Sequence, residues 1–340
     1  METITITSLA RRITNEADAY GYMERMRWPD GPICPHCGNK GAYFLKPSNG
    51  LSRATRTGSH SQRRVWKCAK CRKQFSVTTG TIFHGSKVSL QTWLFVFFEM
   101  CANKNGLAAR EVERKYDVSP KTAWFMTQRI REAMKKKAPH ALIGTIVADE
   151  TWIGGNPERM NRKTRARRDG EGAEPERVQP GTIATRGNQH TAKTPVLSLV
   201  DAETGEVRSR VVTDVRGDTL RKVMAEQVAM GRSTLHTDES HSYFQIGREF
   251  VAHHSVNHEA GRYFDYGTGA STNKAENYFS QLKRSIDGTH HNLSKRHLQR
   301  YLWEFDYRYS TKHLTDTERT ERLMGQVEGR LTYKRVKGLD

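Results

Sequence analysis

Apolar positions recur at helical spacing through the middle of the first half of the chain. From Ser89 to Asn103, Leu90, Trp93, Leu94, Phe97 and Met100 fall at steps of three and four, which predicts a helix buried along one face. Gly106 breaks the pattern, and a second helix is expected from about Leu107 to Tyr116. Asp117-Val118-Ser119-Pro120 then makes a short turn, with Ser119 in the capping position and Pro120 at the first helical residue. A third helix runs through Trp124, Ile130 and Met134 into Lys135-Lys136-Lys137. Two helices across so short a turn predict a helix-turn-helix, whose second helix is built to enter a major groove.

The period changes at Ile143. Ile143 to Asp149 reads as a strand ending in the acid pair Asp149-Glu150, followed by Trp152 and Gly154-Gly155. Pro195–Val200 and Val207–Val212, joined by a turn at Asp201–Gly205, predict a hairpin. A helix is expected from Asp218 to Met230, ended by Gly231, and a short strand from Ser233 to a second acid pair, Asp238-Glu239. Ser271 to Arg284 predicts a further helix, with Tyr278, Phe279 and Leu282 on its apolar side. Strand, hairpin, helix, strand and helix in this order suit a mixed α/β sheet.

Charge sharpens this picture. The formal net charge is +19, and residues 1–140 hold 25 basic against 10 acidic side chains, whereas the remainder holds 31 against 27. A positive field concentrated beside a helix-turn-helix points to nucleic acid, because each phosphate neutralised releases counterions. Residues 156–194 are polar, and six of the ten from Arg159 to Arg168 are Lys or Arg, which reads as a basic insertion or arm. The longest apolar run, Trp93–Phe98, has six residues, far short of a membrane span, and the amino terminus has no secretory pattern. A soluble, cytoplasmic protein is expected.

Four of the five cysteines form two pairs, Cys34-Pro-His-Cys37 and Cys68-Ala-Lys-Cys71. Two residues between thiolates let one tight turn aim both sulfurs at a single ion, so two such turns predict a structural Cys₄ zinc site. Disulfides are the weaker alternative in an intracellular chain. The 30-residue gap between the pairs contains a loop, Pro47 to Arg64, rich in Ser, Thr, Gly and Arg. Cys101 lies in an apolar helical stretch and reads as core.

The acids of the second half form a different set. Asp149 and Asp238 each end a predicted strand, and Glu276 lies on a later helix with Lys283 two turns further along the same face. Three gathered carboxylates repel one another, and divalent cations relieve that repulsion. Two such ions about 4 Å apart serve in-line phosphoryl displacement. A chain with 37 acidic residues contains many such triples, so spacing alone leaves a surface-acid reading open.

Longer motifs narrow the choice. Cys34-Pro-His-Cys-Gly38, Trp66-Lys-Cys-Ala-Lys-Cys-Arg-Lys-Gln-Phe-Ser76, Thr79-Gly-Thr-Ile-Phe83, Ala148-Asp-Glu-Thr-Trp-Ile-Gly-Gly155, Thr237-Asp-Glu239, Thr272-Asn273 with Glu276, Leu282-Lys-Arg284 and His297–Phe305 occur in order. Together they resemble the DDE insertion-sequence transposases with an N-terminal zinc ribbon, the ISXO-like group. The resemblance implies a ribonuclease-H-like α/β catalytic domain, a mixed sheet with flanking helices. It is preceded by a zinc ribbon and an all-α helix-turn-helix domain. It maps the metal-binding acids onto Asp149, Asp238 and Glu276, with Lys283 beside them; Asn273 is a minor candidate for the third ligand. It implies two Mg²⁺ (or Mn²⁺) ions besides the structural Zn²⁺. Its implied partner is double-stranded DNA, as transposon ends and target, bound by a homodimer or larger multimer.

The expected organisation is an N-terminal helix and zinc ribbon in residues 1–86, a helix-turn-helix in 87–140, a catalytic domain in 141–310 with the insertion at 156–194, and a tail in 311–340. The expected activity is metal-dependent cleavage and strand transfer at terminal inverted repeats. The alternatives are a non-catalytic DNA-binding derivative and a nuclease without strand transfer. Glu150 and Glu239, pointing away from their neighbours on a strand, read as support or solvent groups. His253, His254 and His258 read as packing or phosphate contacts. Trp152 reads as a base platform or a buried anchor, and Tyr301, Trp303, Phe305, Tyr307 and Tyr309 as core.

Overall fold

Capping side chains set where most helices of the amino-terminal half begin. The computed structural model describes residues 4–47, 50, 52–54, 60–136, 140–154, 193–256, 264–291 and 293–338. Thr5 and Ser8 form a capping box on α1 (Ile6–Arg12), and Asn15 caps α2 (Glu16–Arg27). Ser89 caps α3 (Leu90–Ala102), and the Glu16 carboxylate accepts two more of its free N–H groups, from Leu90 at 2.7 Å and Gln91 at 3.0 Å. After α4 (Ala109–Tyr116), Asp117 adopts a left-handed φ of 47°. Ser119 then caps α5 (Pro120–Met134), with Pro120 at its start. The helix α4 packs on α5, and α5 on α3. Trp93, Phe97, Val112, Met126 and Ile130 are buried.

Between α2 and α3 the chain forms a three-stranded sheet of β1 (Ala42–Phe44), β4 (Trp66–Cys68) and β5 (Gln74–Phe75), with β4 central. The long loop between the cysteine pairs carries a separate two-stranded ribbon, β2 (Arg53–Ala54) with β3 (His60–Ser61). Trp28, next to α2, meets Trp66 and Phe75 edge-on at 6.5 and 5.7 Å. Glu24 on α2 accepts from the Arg64 guanidinium at 2.7 Å and from the Trp66 indole at 2.8 Å, which pairs its buried charge.

Two compact units follow from the contacts: Met1–Lys137 together with Thr311–Asp340, and Ala138–Ser310. The second unit is built on a five-stranded sheet. Its elements are β6 (Leu142–Ile153), β7 (Thr194–Asp201), β8 (Val207–Val211), α6 (Gly217–Gln227), β9 (Val228–Asp238), α7 (Phe244–Gly247), β10 (Ala252–Val256), α8 (Asn273–Ser285) and α9 (Lys295–Ser310). The spatial order is β10-β9-β6-β7-β8, so the first strand is central. The strands β6, β7 and β8 pair antiparallel, whereas β9 and β10 run parallel to β6.

Alternation along the strands separates two cores. Leu142, Ile146, Ala148, Leu197, Leu199 and Leu235 pack with Leu220 and Met224 of α6 and with Tyr243 and Ile246. On the other face, Val147, Ile153, Val196 and Val200 pack with Ala275, Phe279 and Leu282 of α8 and Leu302 and Phe305 of α9. Tyr307 and Tyr309 are buried as well, in keeping with the core reading of that aromatic series.

One boundary departs from expectation. The helix predicted to Met230 stops at Gln227, and Val228 pairs with Leu142 as the first residue of β9. Strand pairing overrides a helical pattern whose last positions are β-compatible. Gly231, expected to end a helix, lies inside a strand whose register shifts between Leu142 and Gly144.

Residues 311–340, expected to form a tail, fold back into the first unit. Leu323 and Met324 of α10 (Asp316–Met324) are buried, as are Val327, Leu331 and Val336, the last in α11 (Tyr333–Val336). The helix α10 packs on α2 and α3, Arg319 donates to the Cys101 carbonyl at 2.8 Å, and the Thr317 hydroxyl accepts from the Ile4 N–H at 2.6 Å. Among the described residues no helix is long and apolar enough to cross a membrane. The basic insertion at 156–194 lies almost wholly outside the described residues, as does His258.

Asp306 ties α9 to the sheet edge. Its carboxylate accepts from the Ser209 N–H at 2.8 Å, the Ser209 hydroxyl at 2.7 Å and the Tyr278 hydroxyl at 2.7 Å. Burial nevertheless pushes its pKa up to about 6. A folded pKa above the unfolded value means that the folded chain holds the extra proton. The stability this group contributes is therefore full below about pH 4 and is lost as pH rises to about 6. Asp306→Asn, uncharged throughout, should remove that slope. The difference in unfolding free energy between variant and wild type should shift by up to about 3 kcal/mol between pH 4 and 7, read by denaturant titration of the full chain.

Candidate active site and zinc centre

The zinc centre is assembled by two turns of the same design. After each Cys-x-x-Cys pair the chain takes a left-handed residue, Gly38 at φ 70° and Arg72 at φ 62°. The Gly38 N–H returns to the Cys34 carbonyl at 2.9 Å and the Arg72 N–H to the Cys68 carbonyl at 3.1 Å. The four sulfurs, Cys34, Cys37, Cys68 and Cys71, all lie within 4.8 Å of one another, with Cys34–Cys71 and Cys37–Cys68 each at 3.7 Å. Tetrahedral bonds of about 2.3 Å place sulfurs about 3.8 Å apart, whereas a disulfide needs about 2.05 Å. The spacing fits a shared ion and not a disulfide. The Cys71 N–H points at the Cys68 sulfur at 3.4 Å and foremost draws its pKa down to about 6, which readies it as a thiolate ligand. A four-sulfur donor set is thus present and correctly spaced for Zn²⁺. Cys101 is buried in α3, away from this set, as its apolar context predicts.

The acids of the second unit are positioned by strand alternation. Val147 and Ile153 face α8, and Asp149, of the same parity, lies on that face. Leu235 faces the opposite core, so His236 and Asp238 share the α8 side. The pairing of Val147 with His236 sets β6 and β9 in parallel register, and Asp149 and Asp238 lie two residues further along their strands. Both therefore lie just past the last paired residues of β6 and β9, Asp238 at the carboxyl end of β9 and Asp149 within β6, which runs on to Ile153 against β7 rather than ending at the acid pair as the sequence suggested. Glu276 enters from the first turn of α8, where the helix dipole favours a negative charge, with its carboxylate 3.4 Å from the Thr272 hydroxyl.

The charges of these groups act on one another. Burial raises the Asp149 pKa to about 7, and the charges of Asp238 and Glu276 push it the same way. The Glu150 N–H, donating at 2.7 Å, and Lys283 oppose the rise. The acids do not close to single-ion spacing: among the described residues only the four cysteines bring ligand atoms mutually within 4.8 Å. A pair of ions bridged by one carboxylate does not require the outer two acids to touch. The all-oxygen donor set and the under-compensated charge suit Mg²⁺.

Glu150 faces the opposite core, where its carboxylate accepts from the Tyr243 hydroxyl and burial raises its pKa to about 7. It thus supports β6 from behind, and Glu239 is exposed. Asn273 is exposed at the start of α8. His253 bonds the Thr237 hydroxyl at 2.8 Å, and His254 meets His236 edge-on at 5.7 Å. These are packing contacts, one of the two roles read from the sequence. Trp152 and Lys283 line a cleft of about 350 Å³ together with Lys193, Asp287 and His291. Sequence reasoning missed His236 and Tyr243. Two-residue spacing from Asp238 was the available signal for His236, while nothing local marks Tyr243 as the partner of Glu150.

Replacing Cys68 with Ser should lower bound zinc from about one ion per chain to near none and loosen the ribbon, measured by metal analysis and circular dichroism. Cys101→Ser should leave the zinc content unchanged.

A model of the ISXO2-like transposase domain matches residues 141–310, and one of the transposase zinc-ribbon domain matches residues 14–74. An uncharacterised protein in a transposable element (ISH50) of Halobacterium salinarum is 25% identical over 307 residues, 88% of this chain and 92% of its own. A solved pre-cleavage Mos1 transpososome aligns at 13% identity over 67% of this chain and 76% of that chain, with a TM-score of 0.27, too low to bear on the fold. With half its length in the transposase domain and the ribbon ahead of it, the chain belongs to the ISXO2-like DDE transposases with an N-terminal zinc ribbon.

Proposed function

We propose that this transposase cleaves DNA at the terminal inverted repeats of an insertion sequence and joins the freed 3′ ends to target DNA. The observation that carries the reading is that Asp149 and Asp238 lie side by side on the α8 face of the sheet, with the charge of Glu276 from α8 reaching Asp149. A strand order with the first strand central, two antiparallel strands on one side and two parallel strands on the other, supports a ribonuclease-H-like catalytic domain over residues 141–310. Asp149, Asp238 and Glu276 would hold the Mg²⁺ or Mn²⁺ ions. When bound, these neutralise the gathered acids and the phosphodiester charge that develops during displacement. Lys283, exposed two turns along α8, is placed to pair with a DNA phosphate beside that centre. Trp152, on the cleft wall with Lys283, offers an aromatic face to an unpaired end.

The first unit supplies recognition in this reading. The zinc ribbon and the helices α4 and α5, as a helix-turn-helix domain, bind the double-stranded transposon ends, with α5 in the major groove. The basic excess of residues 1–140 supports phosphate binding by this part of the chain. Two ends must be brought together, so the protein acts as a dimer or larger multimer on DNA, in the cytoplasm.

Asp149→Asn or Asp238→Asn should lower end cleavage by at least about a hundredfold while leaving affinity for the transposon end within about twofold. Cleavage assays and gel shifts on the flanking inverted repeats read both quantities. Retained cleavage would overturn the ligand assignment, whereas lost cleavage with intact binding separates the catalytic reading from a purely DNA-binding one.

A further inference from the structure

The first unit contains an open pocket of about 770 Å³ at the start of α5. Its walls include Trp93 of α3, Phe125 and Arg129 of α5, and Tyr333 of α11. Arg129 is only 4% exposed, and its Nε has no hydrogen-bond partner. One Nη donates to the His84 carbonyl at 2.5 Å, and the guanidinium lies 5.4 and 5.2 Å from the Trp93 and Phe125 ring centres. No carboxylate pairs with it in any of these contacts. Burial lowers its pKa to about 10, and the charge of Arg330 pushes the same way. Among the described residues this buried cation meets a carbonyl and two aromatic faces and no carboxylate, so it is under-compensated, and an anion entering the pocket would relieve it.

The remaining walls say which anion. The Tyr333 ring meets Phe125 edge-on at 5.4 Å, and Lys121 and Lys337 stand 4.7 and 5.1 Å from its centre. An inorganic anion needs the cations but not this aromatic lining. A groove-reading helix surface in turn needs exposed polar side chains, not a concave apolar wall. Aromatic faces ringed by lysine and arginine are the chemistry that holds an unpaired base with its phosphate.

We propose that this pocket receives one unpaired nucleotide of the bound DNA, its base stacked against the aromatic walls and its phosphate paired with Arg129 and Lys121. The inference rests on the reading of the first unit as the DNA-binding part, and it adds a site for a base outside the duplex. Such a site favours DNA ends that are distorted or partly unpaired.

The test compares the full-length protein on two probes, a transposon-end duplex carrying a single bulged 2-aminopurine and the same duplex fully paired. Wild type should bind the bulged probe about tenfold more tightly and alter its 2-aminopurine emission on binding. Arg129→Gln and Tyr333→Ala should each bring the two affinities to near parity, and Tyr333→Ala, outside α4 and α5, should change the paired affinity less than about twofold. Tyr333→Ala, on a four-residue surface helix, keeps the test open if Arg129→Gln fails to fold. Equal wild-type affinity for both probes, or a bulge preference that survives Tyr333→Ala, overturns the pocket while leaving the DNA-binding reading intact. Failure of wild type to bind either probe overturns the DNA-binding reading itself.

Discussion

Neighbouring residues of a strand point to opposite faces, and on β6 that rule decides what the second unit can do. It sends Asp149 to the face covered by α8 and Glu150 into the core behind the sheet, where Tyr243 meets it. Because β9 runs parallel to β6 in fixed register, the same rule carries Asp238 to the side of Asp149. The helix α8, packed on that face through Ala275, Phe279 and Leu282, then has little choice about where Glu276 goes. A one-residue slip of β9 would turn Asp238 into the opposite core and bring Thr237 to the α8 side. Hydrophobic burial on both faces therefore fixes the placement of the polar residues.

The cost of that placement appears in the charges. Burial and two like charges raise Asp149, and burial raises Glu150 immediately after it. Such tension is expected where a site is shaped for a ligand that brings positive charge with it. The zinc centre shows the complementary logic: backbone N–H groups and left-handed turns prepare the sulfurs before any ion is considered.

Much of this was legible in the sequence, for identifiable reasons. The cysteine pairs carry their geometry in their spacing, and Ser89, Ser119 and Pro120 announce helix starts through local chemistry. Strand alternation was enough to separate Glu150 from Asp149. Three features lay beyond local signals. The switch from helix to strand at Val228 depends on pairing with Leu142, 86 positions away in the sequence. The burial of residues after Thr311 depends on α2 and α3, so their sparse apolar positions read as a tail until their partners are known. The setting of Arg129 depends on Trp93 and His84 from the preceding part of the chain, and an arginine at a helical position reads by default as solvent-facing.

The return of the last thirty residues to the amino-terminal unit has an implication for synthesis. The segment Ala138–Ser310 is an insertion within another folding unit, flanked on both sides by parts of it. As the chain leaves the ribosome, the inserted unit can be complete before its host is, because α10 with its buried Leu323 and Met324, and then α11, are made after residue 310. A message cut short after residue 310 would release a finished sheet domain attached to an unfinished partner whose apolar surface on α2 and α3 lies bare. Quality-control proteases would meet such products readily, so the ribbon-bearing unit is safe from them only once the segment after residue 310 has been made and packed.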